Sequence, residues 1–336
     1  MKAFQIQGSF GLENLKPVDL PDPQPGAGQV LVRMRAASLN YRDLVVLKGG
    51  YGPRQKLPRI PVSDGAGEIA AVGQGVQRVK AGDRVVLCFS PGWLEGPPTQ
   101  EKMDASLGAF VDGVLCESIV LSEEAVLPIP AHLSFEEAAT LPCAAVTAWT
   151  ALFVEDRVGP GHTVVVQGTG GVSLFALQFA RLAGARVIVT SSSTQKLQRA
   201  RELGAAEGIN YKTTPDWEKE VRRLTGGAGA DHIVEVGGAG TLNRSLGCLR
   251  MGGMISMIGV LAGASAEVRT TMILFRAARI HGIFVGSRAS FEEMNRAIAL
   301  HGLRPVISDT FPFAEAPAAL KHLESGSHFG KIVLTF

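Results

Sequence analysis

Two short stretches carry glycine and hydroxyl patterns suited to receiving an anion. In the first, Gly168-Thr169-Gly170-Gly171-Val172-Ser173 follows the apolar run Thr163-Val164-Val165-Val166-Gln167 and opens a helical pattern. A glycine cluster between a buried strand and a helix can receive a phosphate. Gly168 can make the tight turn and Gly170 lets an anion approach the backbone, while the helix that begins at Gly171 points unpaired N–H groups at it. Ser173 stands where a dinucleotide fingerprint has its third glycine, and a serine is still small enough for close helix-to-strand packing. An ordinary βα turn is the bland alternative; the strand before the cluster and the second strand after it favour a dinucleotide. The second stretch, Ser191-Ser192-Ser193-Thr194-Gln195-Lys196, closes that next strand, Arg186 to Thr190, where the adenosine ribose would lie. An NAD site normally offers a carboxylate there. Hydroxyls such as that of Ser192, together with Lys196, suit a 2′-phosphate instead, so NADPH is expected rather than NADH. The same serines would also N-cap a helix at Gln195, and both roles can hold together.

The elements around these stretches fall into two textures. From Met1 to about Pro130, short alternating strands such as Gln29–Met34 and Gly82–Leu87 are broken by Gly and Pro, which predicts a mainly antiparallel, barrel-like β domain. Ser134-Phe135-Glu136-Glu137 has the spacing of a capping box, and an Ala-rich helical stretch runs from it towards Phe153, interrupted at Pro142. A boundary near residue 127 follows. Beyond it, Val/Ile-rich strands alternate with helices as far as Val285, the pattern of a parallel sheet covered on both faces. Doubly wound is the economical topology. Helices around Phe291–His301 and Ala314–Glu324 and a closing strand, Gly330–Phe336, complete the chain. The expected division is 1–126 with 286–336, and 127–285.

Bulk properties exclude several classes. With 33 basic and 31 acidic side chains in 336 residues the net charge is +2, which lacks the electrostatic footprint of a nucleic-acid binder. Four scattered cysteines, Cys88, Cys116, Cys143 and Cys248, form neither a disulfide framework nor a CxxC zinc module. The N-terminus alternates like a strand and no run approaches a membrane span. A soluble, cytoplasmic protein in a reducing setting is expected.

The β domain, the Gly168 loop and the ending His328-Phe329-Gly330-Lys331-Ile332-Val333-Leu334 together resemble the medium-chain dehydrogenase/reductase superfamily, over essentially the whole chain. The zinc-independent branch, which includes the quinone oxidoreductases, is the nearest match. The resemblance implies an α/β fold: a GroES-like β-barrel catalytic domain, formed from both chain ends, around a Rossmann doubly wound parallel sheet. Zinc-dependent members place cysteine, histidine and cysteine ligands at three positions. Here Asn40 and Ser63 replace the first two and Cys143 retains the third. Catalytic zinc generally takes three protein ligands, and a lone thiolate with an amide and a hydroxyl is a poor set. No metal is therefore expected: Cys143 is read as a small buried hydrophobe in preference to a surviving ligand, with a weak site of Asp43, Asp64 and Cys143 as the alternative. The cysteine-rich lobe of zinc-dependent relatives is also missing. In its place Ser90–Pro98 is a long loop, read as a lid with Trp93 as an apolar wall.

Without a Lewis acid, simple alcohol oxidation is harder to catalyse. A quinone or an α,β-unsaturated carbonyl asks less, because its negative charge delocalises after hydride arrives and hydrogen-bond donors can stabilise it. By the resemblance, Asn40 and Tyr41 lie nearest the lost metal and face nicotinamide and substrate, with the Tyr41 phenol as candidate acid; aromatic packing is its alternative. The same resemblance implies that Thr147, Gly259-Val260-Leu261 and Phe284-Val285-Gly286 line the nicotinamide pocket and that Tyr211 lies near the adenosine phosphate. Two rival readings stay open: an alcohol dehydrogenase or ketone reductase, and an NADPH-binding protein without turnover. Exposed edges of the parallel sheet suggest a homodimer.

Overall fold

The computed structural model describes residues 1–336. By internal contact the chain divides into Met1–Val146 with Gly286–Phe336, and Thr147–Val285. The division falls after Val146 rather than near residue 127, where the sequence texture changes. The physical reason is that the short helix Phe135–Ala139 packs on barrel strands and the π-helical turn Leu141–Ala145 continues that contact. The capping box at Ser134 is present, with Glu137 N–H donating to Ser134 Oγ and Ser134 N–H to Glu137 Oε2. Pro142 lacks an N–H, and the helical stretch around it widens into π turns at Leu141–Ala145 and again at Thr150–Val154.

In the first unit, six strands run in the order Ile307–Pro312, Lys331–Thr335, Gln29–Leu39, Asp64–Val72, Arg84–Leu87, Val126–Pro128, and Ser118–Ser122 pairs the first half of Gln29–Leu39. All pairings are antiparallel except Ile307–Pro312 with Lys331–Thr335. The closing strand thus returns to the N-terminal sheet, as its alternation suggested. Strand Gln29–Leu39 serves three neighbours because register shifts at Leu31/Val32 and Met34/Ala36 bend it. Its second half pairs with both Lys331–Thr335 and the start of Asp64–Val72, with Ser38 opposite Val333 on one side and Asp64 on the other. Val30, Val32, Met34, Ile69, Val85, Leu87 and Leu334 fill the core beneath.

The second unit holds a six-stranded, all-parallel sheet in the order Glu207–Asn210, Arg186–Ser191, Thr163–Gln167, Ala230–Glu235, Leu249–Met257, Arg279–Gly282. Counted along the chain, that order is 3-2-1-4-5-6, the doubly wound arrangement in which a ligand lies beyond the C-terminal ends of the central strands. Val164, Val165 and Val166 are fully buried, as a strand covered on both faces demands. No helix is long and apolar enough to cross a membrane.

The loop Ser90–Pro98 is pinned rather than loose. Trp93 is 5% exposed, its indole N–H donates to Gly96 O, and the carbonyls of Trp93 and Leu94 accept from Arg288 and Ala289 N–H. A long loop without period gave no sign of these bonds, which come from a helix almost two hundred residues away in sequence.

Candidate functional site

In the second unit the Gly168 loop has the geometry of an anion cradle. Gly168 is left-handed at φ 73°, and its N–H donates to Thr190 O at 2.7 Å, closing the turn off the strand. Gly170 precedes the twelve-residue helix Gly171–Leu182 as its N-cap, yet no side chain caps that helix. Its first-turn N–H groups therefore lack an internal partner, which is the condition an anion relieves. A Cβ built on Gly170 would meet nothing within 4 Å, so the chain itself does not need glycine there. Space in front of the backbone is what that glycine provides. Ser173 is buried and its Oγ donates to Gln167 O at 2.7 Å, tying the first helical turn to the strand end. This is the physical account of the departure from the third glycine.

The serine run does cap, since Ser193 Oγ accepts from Lys196 N–H at 3.3 Å at the start of helix Thr194–Glu202. Ser192 and Lys196 are half-buried beside it. Burial, and secondarily the neighbouring Arg199, pull the Lys196 ammonium below its usual value, a cost that an anion at the same place would offset. Tyr211 N–H donates to Ser191 O at 3.1 Å, so Tyr211 lies at the same sheet edge, 42% exposed. At the next strand ends, Gly259 N–H donates to Glu235 O at 3.2 Å, and Val260 and Leu261 are half exposed beyond it. The residues Gly168, Thr169, Gly170, Gly171, Val172, Ser192, Lys196, Tyr211, Gly259, Val260 and Leu261 thus all follow C-terminal ends of strands in one parallel sheet. Thr147 is buried in the helix Val146–Trp149, while Phe284 and Val285 follow the outer strand, with Val285 left-handed at φ 47°.

In the first unit Asn40 ends the strand Gln29–Leu39 and starts the helix Tyr41–Leu47, its N–H donating to Asp43 Oδ2 at 2.7 Å. Its side chain is held from the other flank: Lys331 Nζ donates to Asn40 Oδ1 at 2.5 Å and to Leu39 O at 2.6 Å. Lys331 is only 3% exposed. Ser63 Oγ donates to Asp64 Oδ1 at 2.7 Å, and Cys143 N–H to Asp64 Oδ2 at 3.0 Å. The sheet register brings Asn40, Ser63, Asp64 and Lys331 into one buried polar cluster, and the helical turn Leu141–Ala145 adds the half-buried Cys143 to it. Asn40 Nδ2 bears on the Asp64 carboxyl electrostatically but forms no hydrogen bond of ordinary geometry.

The electrostatics follow from that burial. It pushes the Asp43 carboxyl up to about 6, with Arg42 and the Asn40 N–H pulling the other way. It raises Asp64 against the opposing pull of Lys331, and depresses Lys331 against that of Asp64. The Cys143 thiol is pushed well up, first by burial and then by Asp64. The Lys331 amine thus already occupies the cluster as a donor, the serine hydroxyl is committed to Asp64, the amide oxygen is committed to Lys331, and burial holds the sulfur as a thiol. That donor set does not suit zinc, and no three His, Cys, Asp or Glu side chains are grouped to hold a metal ion. Tyr41, by contrast, is 49% exposed. The sequence pointed to Asn40, Ser63 and Cys143 but missed Lys331 as their partner; the only signal was a lysine opening the terminal strand.

Comparison with known proteins agrees with both units. Residues 26–131 match the family model of the alcohol dehydrogenase GroES-like domain, and residues 171–300 that of the zinc-binding dehydrogenases. A zinc-type alcohol dehydrogenase-like protein of Schizosaccharomyces pombe is 47% identical over 331 residues, covering 96% of each chain. The crystal structure of an NAD-dependent alcohol dehydrogenase matches over 100% of both chains with TM-score 0.92 at 38% identity. That of the Escherichia coli quinone oxidoreductase complexed with NADPH matches over 100% of both with TM-score 0.86 at 25% identity. A GroES-like domain joined to a Rossmann-like parallel sheet, matched along the full length by such relatives, makes this chain an oxidoreductase of the medium-chain dehydrogenase/reductase superfamily.

Proposed function

We propose that the chain transfers hydride from NADPH to a quinone or an α,β-unsaturated carbonyl without zinc. The observation that carries this reading is the Lys331 side-chain amine bonded to Asn40 in the cluster that holds Ser63 and Cys143, where zinc-dependent relatives are expected to keep their ligands. A bound reduced dinucleotide supplies the hydride. The Gly168–Val172 backbone holds the pyrophosphate, and Ser192 and Lys196 take the 2′-phosphate. Tyr41, exposed at the start of its helix, donates a hydrogen bond to the acceptor oxygen, and Asn40, fixed by Lys331, lines the site beside it. The charge that arrives with hydride is spread over a conjugated system, so donors without a Lewis acid suffice. Positioning and exclusion of water supply the rest of the rate.

The test is a fluorescence titration of the metal-analysed protein with NADPH and NADH, followed by a panel of quinones, enones and secondary alcohols. NADPH binding at least tenfold tighter than NADH, with turnover of the conjugated acceptors, is expected, and Lys196→Ala should erase most of that preference. Stoichiometric zinc with alcohol turnover would overturn the proposal in favour of the alcohol dehydrogenase reading, which the name of the structural neighbour described above favours. NADPH binding without consumption across the panel would leave a binding protein.

The protein is further proposed to be a homodimer in a cytoplasmic, reducing setting. Strand Arg279–Gly282 is the outer strand of its sheet and exposed along its length, and Leu274 and Phe275 just before it are 74% and 73% exposed. Unpaired strand edges beside exposed apolar side chains favour pairing with a second copy. A monomeric mass by light scattering would refute this. All four cysteines are free thiols, as a reducing compartment requires.

A further inference from the structure

One carboxylate at the sheet edge has a role that the hydride-transfer reading does not use. Glu235 is the last residue of strand Ala230–Glu235 and has no exposed surface. Five donors converge on it. Oε1 accepts from Gly237 N–H at 2.9 Å, Gly238 N–H at 3.0 Å and the Thr241 hydroxyl at 2.5 Å, and Oε2 accepts from Gln167 Nε2 at 2.7 Å and the Ser245 hydroxyl at 2.5 Å. A fully buried acid persists only where its lone pairs are filled, and here they are. Gln167 is the residue just before Gly168, and its Oε1 in turn receives Gly237 N–H at 3.2 Å. One side chain therefore joins the end of the strand that carries the Gly168 loop to the turn that follows the neighbouring strand.

That turn is laced to a third segment. Leu261 N–H donates to Val236 O, Ala262 N–H to Gly237 O, and Ala239 N–H to Gly263 O. Gly238 is left-handed at φ 77° and approaches so closely that a Cβ would lie 2.9 Å from Gly259 O and Gly263 O. The Gly259–Leu261 segment has few bonds that hold it other than those to this turn, and the turn is held by Glu235.

We infer that Glu235 is a positioning residue that sets the Gly259–Leu261 segment for the nicotinamide half of the dinucleotide, leaving the adenosine half to the Ser191–Lys196 edge. This rests on the dinucleotide reading above. It differs from a merely structural role in predicting a split between the two halves of one ligand.

Glu235→Gln nearly preserves shape but turns an NH2 towards groups that all donate. Gln167 would have to flip to accept, withdrawing its oxygen from Val236 and Gly237 N–H. The expected result is a rise of tenfold or more in the NADPH Kd, while the Kd of 2′,5′-ADP stays within twofold of wild type. The exchange variant Glu235→Gln/Gln167→Glu restores the count of donors and acceptors and should recover most of the NADPH affinity. If Glu235→Gln fails to fold, Thr241→Val and Ser245→Ala, which remove one donor each, should raise the NADPH Kd two- to fivefold with 2′,5′-ADP unmoved. Unchanged NADPH binding in these variants, or equal losses for NADPH and 2′,5′-ADP, would overturn the inference. A wild type that binds 2′,5′-ADP but not NADPH would also overturn it, whereas a wild type that binds neither would overturn the dinucleotide reading on which it rests.

Discussion

Replacing Lys331 by methionine tests whether an ammonium organises the cluster around Asn40. Methionine keeps the stem length and apolar body but removes three N–H donors. Two buried acceptors, Leu39 O and Asn40 Oδ1, now bonded at 2.6 and 2.5 Å, would lose their partner. Each orphaned buried acceptor costs about 1–3 kcal/mol. Against this, the variant no longer desolvates a lysine, the burial that now depresses the Lys331 ammonium. Asp64 then loses the nearby positive charge that opposes its burial. A net loss of about 3 kcal/mol follows, or roughly 6–12 °C at about 2–4 °C per kcal/mol for a unit of this size. The assay is differential scanning calorimetry with the transition of the Met1–Val146/Gly286–Phe336 unit resolved from that of Thr147–Val285; only the first should move. Adding Asp64→Asn to Lys331→Met removes the stranded carboxylate and should restore about 1 kcal/mol, because the Ser63 hydroxyl can turn to accept from the new amide. A loss below about 1 kcal/mol in the single variant, or no recovery in the double, would show that Lys331 does not hold this cluster together.

Gly168 and Gly170 should separate folding from binding: Gly168→Ala forces a left-handed alanine at φ 73° and costs about 1–2 kcal/mol, whereas Gly170→Ala, which meets nothing within 4 Å, leaves stability within about 0.5 kcal/mol. Both should raise the NADPH Kd tenfold or more, and an unchanged Kd in Gly170→Ala would refute the pyrophosphate cradle. Asp43 makes a prediction about pH. Its native carboxyl, raised by burial to about 6, holds a proton more tightly than in the unfolded chain, where about 4 is usual. The group therefore stabilises the fold below about pH 4, and that contribution is lost as pH rises through 6, by roughly 3 kcal/mol. Asp43→Asn, whose Oδ can still accept from Asn40 N–H, should remove this fall and unfold at higher urea than wild type at pH 7.5 while matching it near pH 4; equal midpoints at both pH values would contradict the account.

Several features were legible in the linear sequence because they are local. The Val-rich run before Gly168, the serine caps and the Ser134 capping box each express backbone periodicity or the needs of a helix end within a few residues, and the structure places them within one or two positions of where the sequence does. Strand Ile307–Pro312 was not legible, since its Ser-Asp-Thr centre offers little alternation and it pairs only because Lys331–Thr335 returns beside it. The anchoring of the loop around Trp93 was not legible for a related reason: its bonds to Arg288 and Ala289 leave no local trace.

Residue types alone determined that a glycine cluster would follow a buried strand and open a helix and that four scattered cysteines offer no disulfide framework, while the family resemblance put Asn40 and Ser63 where two zinc ligands would be expected. Only the tertiary structure decided what those residues do to one another. Lys331 reaches Asn40 across 291 positions of chain and Glu235 gathers Gln167 from 68 positions away, because sheet register, not sequence proximity, sets which side chains share a buried volume. Once they share it, low polarity compels each charge and each donor to find its partner there.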